Sequence, residues 1–464
     1  IEQNFQYATY LLFGMQILMI ILLGTCAKDN FIGNNNFNNY YQYFTGVEIM
    51  MFFGFGYLMT FLKRYGMGAV GLTMLVTVLA MEWGIFTEWF FSMWYESTWT
   101  LIPLNILTFT TALDQVAALL ISFGGLIGKI SPLQLVIMTI VECIFYSINK
   151  SIFLVGALGT IDAGGTIVIH MFGAYFGLAA SYILGKPTKG TENEVNIVSD
   201  ITSLIGTLFL WIYWPSFNGG QQAANSDQQQ RAVVHTILAL CAATMGTFAA
   251  SSYFNPSHKF RPVDIQNATL AGGVAIGVTC NLTMNPIDPL IIGLVAGVVS
   301  TYGFNVIQPI LESYGVHDTC GVNNLHGMPS LVGGLASVFI TAYKGPRGSD
   351  MPDVFNYPGQ AGVQIGAMCI TLIIAVSSGI FTGLIMRKYG CGTAAENFSD
   401  FPYWEVEAFE GEEHKPEGAH TATDGDVEMG QGSAVGGNKK YDSVPRSSDE
   451  ANLEDDVEVQ HVKL

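Results

Sequence analysis

Asp162-Ala-Gly-Gly-Thr-Ile-Val-Ile-His170 returns, altered, as Asp318-Thr-Cys-Gly-Val-Asn-Asn-Leu-His326. In both copies an Asp precedes a His by eight residues, with Gly165 or Gly321 three residues after the Asp. The two Asp, like the two His, stand 156 residues apart. Eight helical residues rise about 12 Å, so each Asp is placed to cap a helix whose His lies two turns deeper. Both stretches run into very apolar chain, which puts both His inside a membrane. An ionisable side chain there marks a functional site by default. A lone intramembrane His more often makes a helix–helix hydrogen bond, and the duplication is what reverses that preference. For Asp162 and Asp318 a structural helix cap is the preferred reading. Electrostatic favouring of a nearby cation by Asp162 comes second.

The rest of the chain agrees with a membrane setting. Of 464 residues, 50% are hydrophobic and only 12% charged, with 52 Gly and a mean hydropathy of +0.38. These values exclude an ordinary soluble domain and indicate a polytopic helical protein with close helix crossings. The formal charge of −18 is uneven: residues 391–464 hold 18 acidic against 5 basic side chains, leaving −5 for everything before them. A near-neutral membrane part points away from nucleic acid as a partner. The seven Cys lie mostly in apolar runs, never as CxxC, which suggests neither a disulfide framework nor a zinc site. No cofactor and no enzymatic chemistry are expected.

Twelve apolar runs follow one another, near 7–23, 47–62, 67–86, 104–128, 133–148, 165–184, 200–217, 232–254, 265–281, 289–304, 327–343 and 362–386. Each approaches the length a bilayer requires. The Asn-rich stretch from Cys26 to Tyr43 reads as a loop. With the N-terminus inside, the cytoplasmic loops hold nine Lys and Arg and the outer loops five, so both termini are expected in the cytoplasm. The duplicated stretch opens the sixth and the eleventh spans. Five spans is an odd interval, so the two helices enter from opposite sides. This is an inverted repeat of five plus five helices, flanked by the first and last spans, and such folds place the transport path at the repeat interface. The expected domains are a transmembrane unit, 1–390, and a cytoplasmic, acidic, mostly disordered tail, 391–464. Within the tail, Phe401-Pro-Tyr-Trp-Glu-Val406 reads as solvated chain in preference to a docking motif.

If His170 and His326 meet, each neutral imidazole offers one donor and one acceptor. They can share a hydrogen bond and still present a nitrogen to a passenger. A narrow, apolar passage rejects Na⁺ and K⁺, because stripping their water costs more than the walls return. Ammonium differs: it can release its proton and continue as a small neutral molecule. Glu48, Glu82, Asp114, Glu142 and His235 also fall in or near spans, but none has a matching partner in the duplication. Asn267-Ala-Thr269 and Asn281-Leu-Thr283 fit the glycosylation pattern while sitting in or against an apolar span, where the pattern is weak.

Several stretches closely resemble the Rh glycoprotein branch of the ammonium transporter family. They are Gly54-Phe-Gly-Tyr-Leu-Met-Thr-Phe61, Leu120-Ile-Ser-Phe-Gly-Gly125 with Lys129-Ile-Ser-Pro132, both Asp…His copies, Gly206 through Asn218, and Ile265 through Gly273. The resemblance covers roughly residues 7–390. It implies ammonia and ammonium as passengers, with carbon dioxide a second candidate, and a homotrimer in membrane lipid with one pore per subunit. It further implies that His170 and His326 are paired pore histidines and Asp162 an essential pore-associated aspartate. Phe123 and Phe217 match the two rings that constrict the outer entrance. From the residues alone both Phe read as helix packing. Two features depart from the pattern: Lys150 stands near the outer mouth where relatives often carry acids, and the first outer loop has no sequon. The membrane expected is the plasma membrane or an acidic or osmoregulatory vacuole. Two other readings are an ammonium sensor signalling through the tail and a non-conducting scaffold subunit.

Overall fold

Among the described residues, eleven helices are long and apolar enough to cross a bilayer. They are α1 (Phe5–Cys26), α2 (Asn36–Phe61), α3 (Gly66–Glu96), α4 (Ile106–Leu126), α5 (Pro132–Leu158), α6 (Thr166–Leu184), α7 (Ile197–Gly219), α8 (Asp227–Phe254), α10 (Ile287–Ser313), α11 (Asn323–Ala342) and α12 (Gln360–Lys388). The twelfth span, α9, covers 262–279 and is broken into alternating α and 3-10 turns. Nearly every residue of α9 is buried. Irregular backbone survives at membrane depth only where protein surrounds it. The computed structural model describes residues 2–187, 194–344, 359–388, 394 and 396–406. Of the disordered tail expected over 391–464, all but 394 and 396–406 lies outside the described residues.

Local chemistry starts several of these helices. Asn105 Oδ1 accepts from the Leu107 and Thr108 amides at 3.0 and 3.2 Å, which opens α4. Ser131 and Gln134 form a reciprocal capping box before α5, with Pro132 in the first turn. Asn196 with Ser199 does the same for α7. Small residues then let the helices approach. A Cβ on Gly293 or Gly297 would stand 2.1 or 2.4 Å from the Ala239 or Ala243 carbonyl oxygen, so α10 and α8 cross backbone to backbone.

The inverted repeat is visible along α4. Near its start, Asp114 shares a cavity with Asp162, which precedes α6. At its far end, the Gly124 carbonyl accepts from the Cys320 amide at 3.1 Å, beside Asp318, which precedes α11. α6 and α11 therefore enter the protein from opposite faces, called here the Asp162 face and the Asp318 face.

Two expectations need correction. The Asn-rich loop is helical from Asn34, because its polar side chains find partners: Asn39 Oδ1 accepts from Gln229 Nε2 at 3.0 Å, and Tyr40 Oη from the Ala224 amide at 3.0 Å. A short parallel ribbon, 27–29 paired with 102–104, accompanies the helices of this all-α membrane fold. The second correction concerns the solvated reading of 401–406. The compact unit runs to Val406, and 397–404 docks on the Asp318 face. Asp400 accepts from the Met67 and Gly68 amides at 2.7 and 2.6 Å, supplying α3 with the cap that its own sequence lacks. Trp404 covers Gly71, where a Cβ would fall 2.3 Å from the indole. The ring of Tyr403 meets Phe5 at 5.8 Å, so the start of α1 and the end of the compact unit share one face.

Asp400→Ala is expected to lower the thermal midpoint in detergent by the equivalent of about 1–2 kcal/mol, the usual loss for a helix cap. It should also expose 397–406 to added protease, whereas Asp400→Asn should retain part of the cap. Unchanged melting and cleavage would show that the segment is not held by this contact.

Candidate functional site: a paired-histidine pore

Each copy of the duplicated stretch builds the same device. Gly165 and Gly321 take left-handed backbone, φ 71° and 69°, and each begins a widened π turn, Thr166–Met171 or Asn323–Gly327. A Cβ at either Gly would stand 2.2 Å from a neighbour's side chain, so only Gly serves there. The π turn recurs at functional sites because it re-aims one side chain within a helix. Here it contains His170 in one copy and His326 in the other.

The aspartates cap both turns, differently. Asp162 uses one oxygen for both amides: Oδ2 accepts from Ile167 at 2.9 Å and Val168 at 2.8 Å. Its Oδ1 is buried with no protein partner among the described residues. Asp318 uses both oxygens, Oδ1 for the Val322 amide and Oδ2 for the Asn323 amide, each at 2.9 Å. Asp318 thus has both carboxylate oxygens on backbone amides. Asp162 is a cap with one carboxylate oxygen left over.

His170 Nδ1 and His326 Nδ1 stand 3.1 Å apart, with the ring planes 4° from parallel. Both side chains are buried, 1% and 3% exposed. A hydrogen bond at that distance needs one protonated nitrogen and one lone pair, so at least one ring is neutral. With both neutral, the ring donating through Nδ1 has a bare Nε2 and the accepting ring carries Nε2–H. The pair thus presents an acceptor at one outer end and a donor at the other, and exchanging tautomers reverses the polarity. His170 Nε2 has no protein partner among the described residues.

Aromatic rings hold the pair. Trp214 stacks on His170 at 5.6 Å, Phe217 meets it edge-on at 6.1 Å, and Phe55 lies along His326 at 6.2 Å. Trp214 fits because Gly273 of α9 has no side chain; a Cβ there would stand 2.6 Å from the indole. Thr166 stitches the start of α6 to the same broken helix, donating to the Val274 carbonyl at 2.6 Å and accepting from the Val278 amide at 2.7 Å. On the Asp162 face a cavity of about 350 Å³ is lined by Asp114, Lys150, Asp162, Phe217 and Gln221. On the other side of the pair a cavity of about 20 Å³ touches His326, Phe55, Leu120, Val322 and Leu325.

The two rings expected as a gate lie in different surroundings. Phe217 lines the larger cavity, but Phe123 does not. It is fully buried in the core, nine residues along α4 from Asp114, which places it about 13 Å deeper. Glu142 is also buried and accepts from Ser122 Oγ at 2.5 Å. Glu82 meets Gln16 at 3.4 Å, and His235 Nδ1 bonds the Cys280 carbonyl at 2.8 Å. Neither sequon is free: Asn267 Nδ2 donates to the Val263 carbonyl at 2.9 Å and Asn281 Nδ2 to Gln222 at 3.1 Å. The residues alone did not single out Phe55 or Trp214. A usable signal was the Trp214…Phe217 interval, which puts two rings on one helix face.

Comparison with known proteins agrees with this architecture. The model of the Ammonium Transporter Family matches residues 8–391. The chain belongs to this family. Within it, the Rh branch is indicated by "Ammonium transporter Rh type B" of Takifugu rubripes, 36% identical over 430 residues, covering 86% of this chain and 93% of that one. The solved Rh50 channel of Nitrosomonas europaea is 33% identical, with a TM-score of 0.72 over 82% of this chain and 95% of that one. Saccharomyces cerevisiae Mep2, 19% identical with a TM-score of 0.62 over 79% of this chain and 87% of that one, shares the fold. This Rh-branch chain is thus a multi-pass membrane transport protein for ammonium or ammonia.

The unequal caps separate two substitutions. In Asp162→Asn the remaining carbonyl oxygen can keep both amide contacts, while the new NH₂ turns to the cavity. In Asp318→Asn that NH₂ must confront a backbone amide. Asp318→Asn is expected to destabilise by about 1–3 kcal/mol, the cost of an unmet buried donor, and Asp162→Asn by clearly less. Thermal unfolding of the two purified variants measures the difference, and equal losses would contradict the cap geometry.

Proposed function

We propose that each subunit conducts neutral ammonia past the His170–His326 pair. Ammonium that reaches the Asp162 face releases its proton to the water there, and ammonia alone continues. What supports this is the 3.1 Å contact between two buried ring nitrogens, standing between a polar cavity and a small apolar one. A cation in that passage would exchange its hydration shell for rings and aliphatic walls, at a cost of several kcal/mol or more. Ammonia loses far less, because it accepts one hydrogen bond and donates others, as the polarised pair requires. The smaller cavity has room for about one water-sized molecule, which limits what can follow. Asp162 contributes in two ways: it fixes the turn that carries His170, and its spare oxygen lies where an arriving cation would be held. Phe217 closes the cavity above His170 as a one-ring constriction.

The same reading places the Asp162 face outside and the Asp318 face, with both termini, in the cytoplasm, following the distribution of Lys and Arg among loops. It also makes the working unit a homotrimer, which light scattering of the detergent-solubilised protein would report as three times the chain mass.

Two measurements on proteoliposomes test the mechanism. Ammonium addition is expected to alkalinise the lumen in a protein-dependent way, and solid-supported-membrane recordings from the same preparation to show no protein-dependent current. His326→Leu removes the inter-ring bond and one end of the polarised pair, so flux should fall to the protein-free rate while the protein stays folded. A saturable current that scales with protein density would mean that charge crosses too. Removal of 407–464 should leave flux intact; its loss would favour a sensing role for the tail.

A further inference from the structure

The Asp162 face already holds a cation, and the chain supplies it. Lys150 of α5 points between Glu88 of α3 and Asp114 of α4, its Nζ 2.8 Å from Glu88 Oε1 and 3.9 Å from Asp114 Oδ2. The same Asp114 oxygen accepts from Gln221 Nε2, two residues past the end of α7. All three charged side chains are poorly exposed, 14% for Lys150, 20% for Glu88 and 13% for Asp114. Lys150 and Asp114 line the cavity into which Asp162 and Phe217 also face. The group held there is a primary ammonium: a tetrahedral, positively charged nitrogen with several N–H donors. An arriving ammonium or methylammonium ion offers that same chemistry.

We propose that Lys150 is a tethered competitor of the substrate cation. It occupies the cation position between Glu88 and Asp114 and so sets the ammonium concentration at which this entrance half-saturates. The proposal rests on the ammonia-conduction reading above and concerns its first step. With Lys150 in place, a free ammonium ion meets an entrance whose two acids are engaged by a charge like its own, and Asp162 is the remaining carboxylate of the cavity. At a few ångströms in a partly desolvated site, such a like charge weighs heavily against a second cation. Without Lys150, the Asp114 carboxylate that lines the cavity and the Glu88 carboxylate on the far side of the same Nζ would lose their shared cation and call for another. A Lys that served only to tie α5 to α3 and α4 would, when replaced, alter stability or maximal flux. A tethered competitor alters the half-saturation point.

The test measures ammonium-driven alkalinisation of proteoliposomes against ammonium concentration at fixed pH. Lys150→Gln is expected to lower the half-saturating concentration on the order of tenfold, the equivalent of about 1.4 kcal/mol, with maximal flux unchanged. Lys150→Arg keeps the positive charge and should behave as the original chain does. Glu88→Gln leaves the cation with one acid fewer and should raise the half-saturating concentration. A folded Lys150→Gln protein with unaltered half-saturation overturns the proposal, as does Lys150→Arg shifting it equally. Should Lys150→Gln fail to fold, Glu88→Gln decides, and no upward shift overturns it. Absence of flux from the original chain would refute the conduction reading instead. Methylammonium binding to the solubilised proteins then decides separately, and equal affinity of the original chain and Lys150→Gln overturns the competitor.

Discussion

One contact organises this protein: the 3.1 Å hydrogen bond between His170 Nδ1 and His326 Nδ1. Two imidazoles can be buried in a membrane only if their polar edges are satisfied, and here each ring satisfies the other. The bond requires both helices to enter from opposite faces and to turn their fourth or fifth residue toward the same point. Left-handed Gly165 and Gly321, the aspartate caps and the widened first turns all serve that aim. The broken helix α9 serves it too, since Gly273 admits Trp214 against His170.

The two halves share a plan but not a chemistry. Asp162 spends one oxygen on its turn and leaves the other in a cavity of about 350 Å³; Asp318 spends both and sits among packed side chains. On the Asp318 face, Lys129 Nζ donates to the His317 carbonyl at 2.7 Å and also to Ser181 Oγ. Burial pushes that ammonium down to about 7, with Asp318 opposing the shift. Burial and the nearby Lys129 and Lys186 hold His317 down at about 4. The face is therefore a tightly joined polar cluster, and Phe398 closes it, its ring 6.3 Å from His317. One face opens on a charged cavity, and the other is packed and braced. An inverted repeat supplies the matched histidines, and divergence between its halves makes the two faces unlike.

The chain after the last span belongs to this bracing. Asp400 donates its amide to the Arg64 carbonyl at 2.8 Å while its carboxylate caps α3. Burial raises the Asp400 carboxyl above its ordinary range, and the two amide bonds pull it back. A short acidic segment thus performs, for a helix more than 300 residues earlier, the task that Asn105 and Ser131 perform locally for α4 and α5.

Much of this was legible in the residues. A period of 156 in Asp and His, with Gly at a constant place between them, encoded the inverted repeat. Bilayer-length apolar runs encoded twelve spans, α9 among them although it is broken. These features survive in sequence because they depend on local rules: hydrophobic length, helix capping and positive φ. What the sequence left open depends on partners far along the chain. Lys150 reads as a stray charge until Glu88 and Asp114 stand beside it. Phe123 and Phe217 look alike until the helical rise of α4 carries one away from the cavity that the other lines. The Asn-rich stretch reads as loop, since polarity is scored against water and its actual partners are Gln229 and Ala224. Phe401–Val406 reads as tail because nothing nearby announces that α3 lacks a cap. Composition and period determined that two histidines lie in a membrane at symmetric depth. Only the tertiary structure decided that they share a proton, because a hydrogen bond depends on tenths of an ångström that no spacing in the chain records.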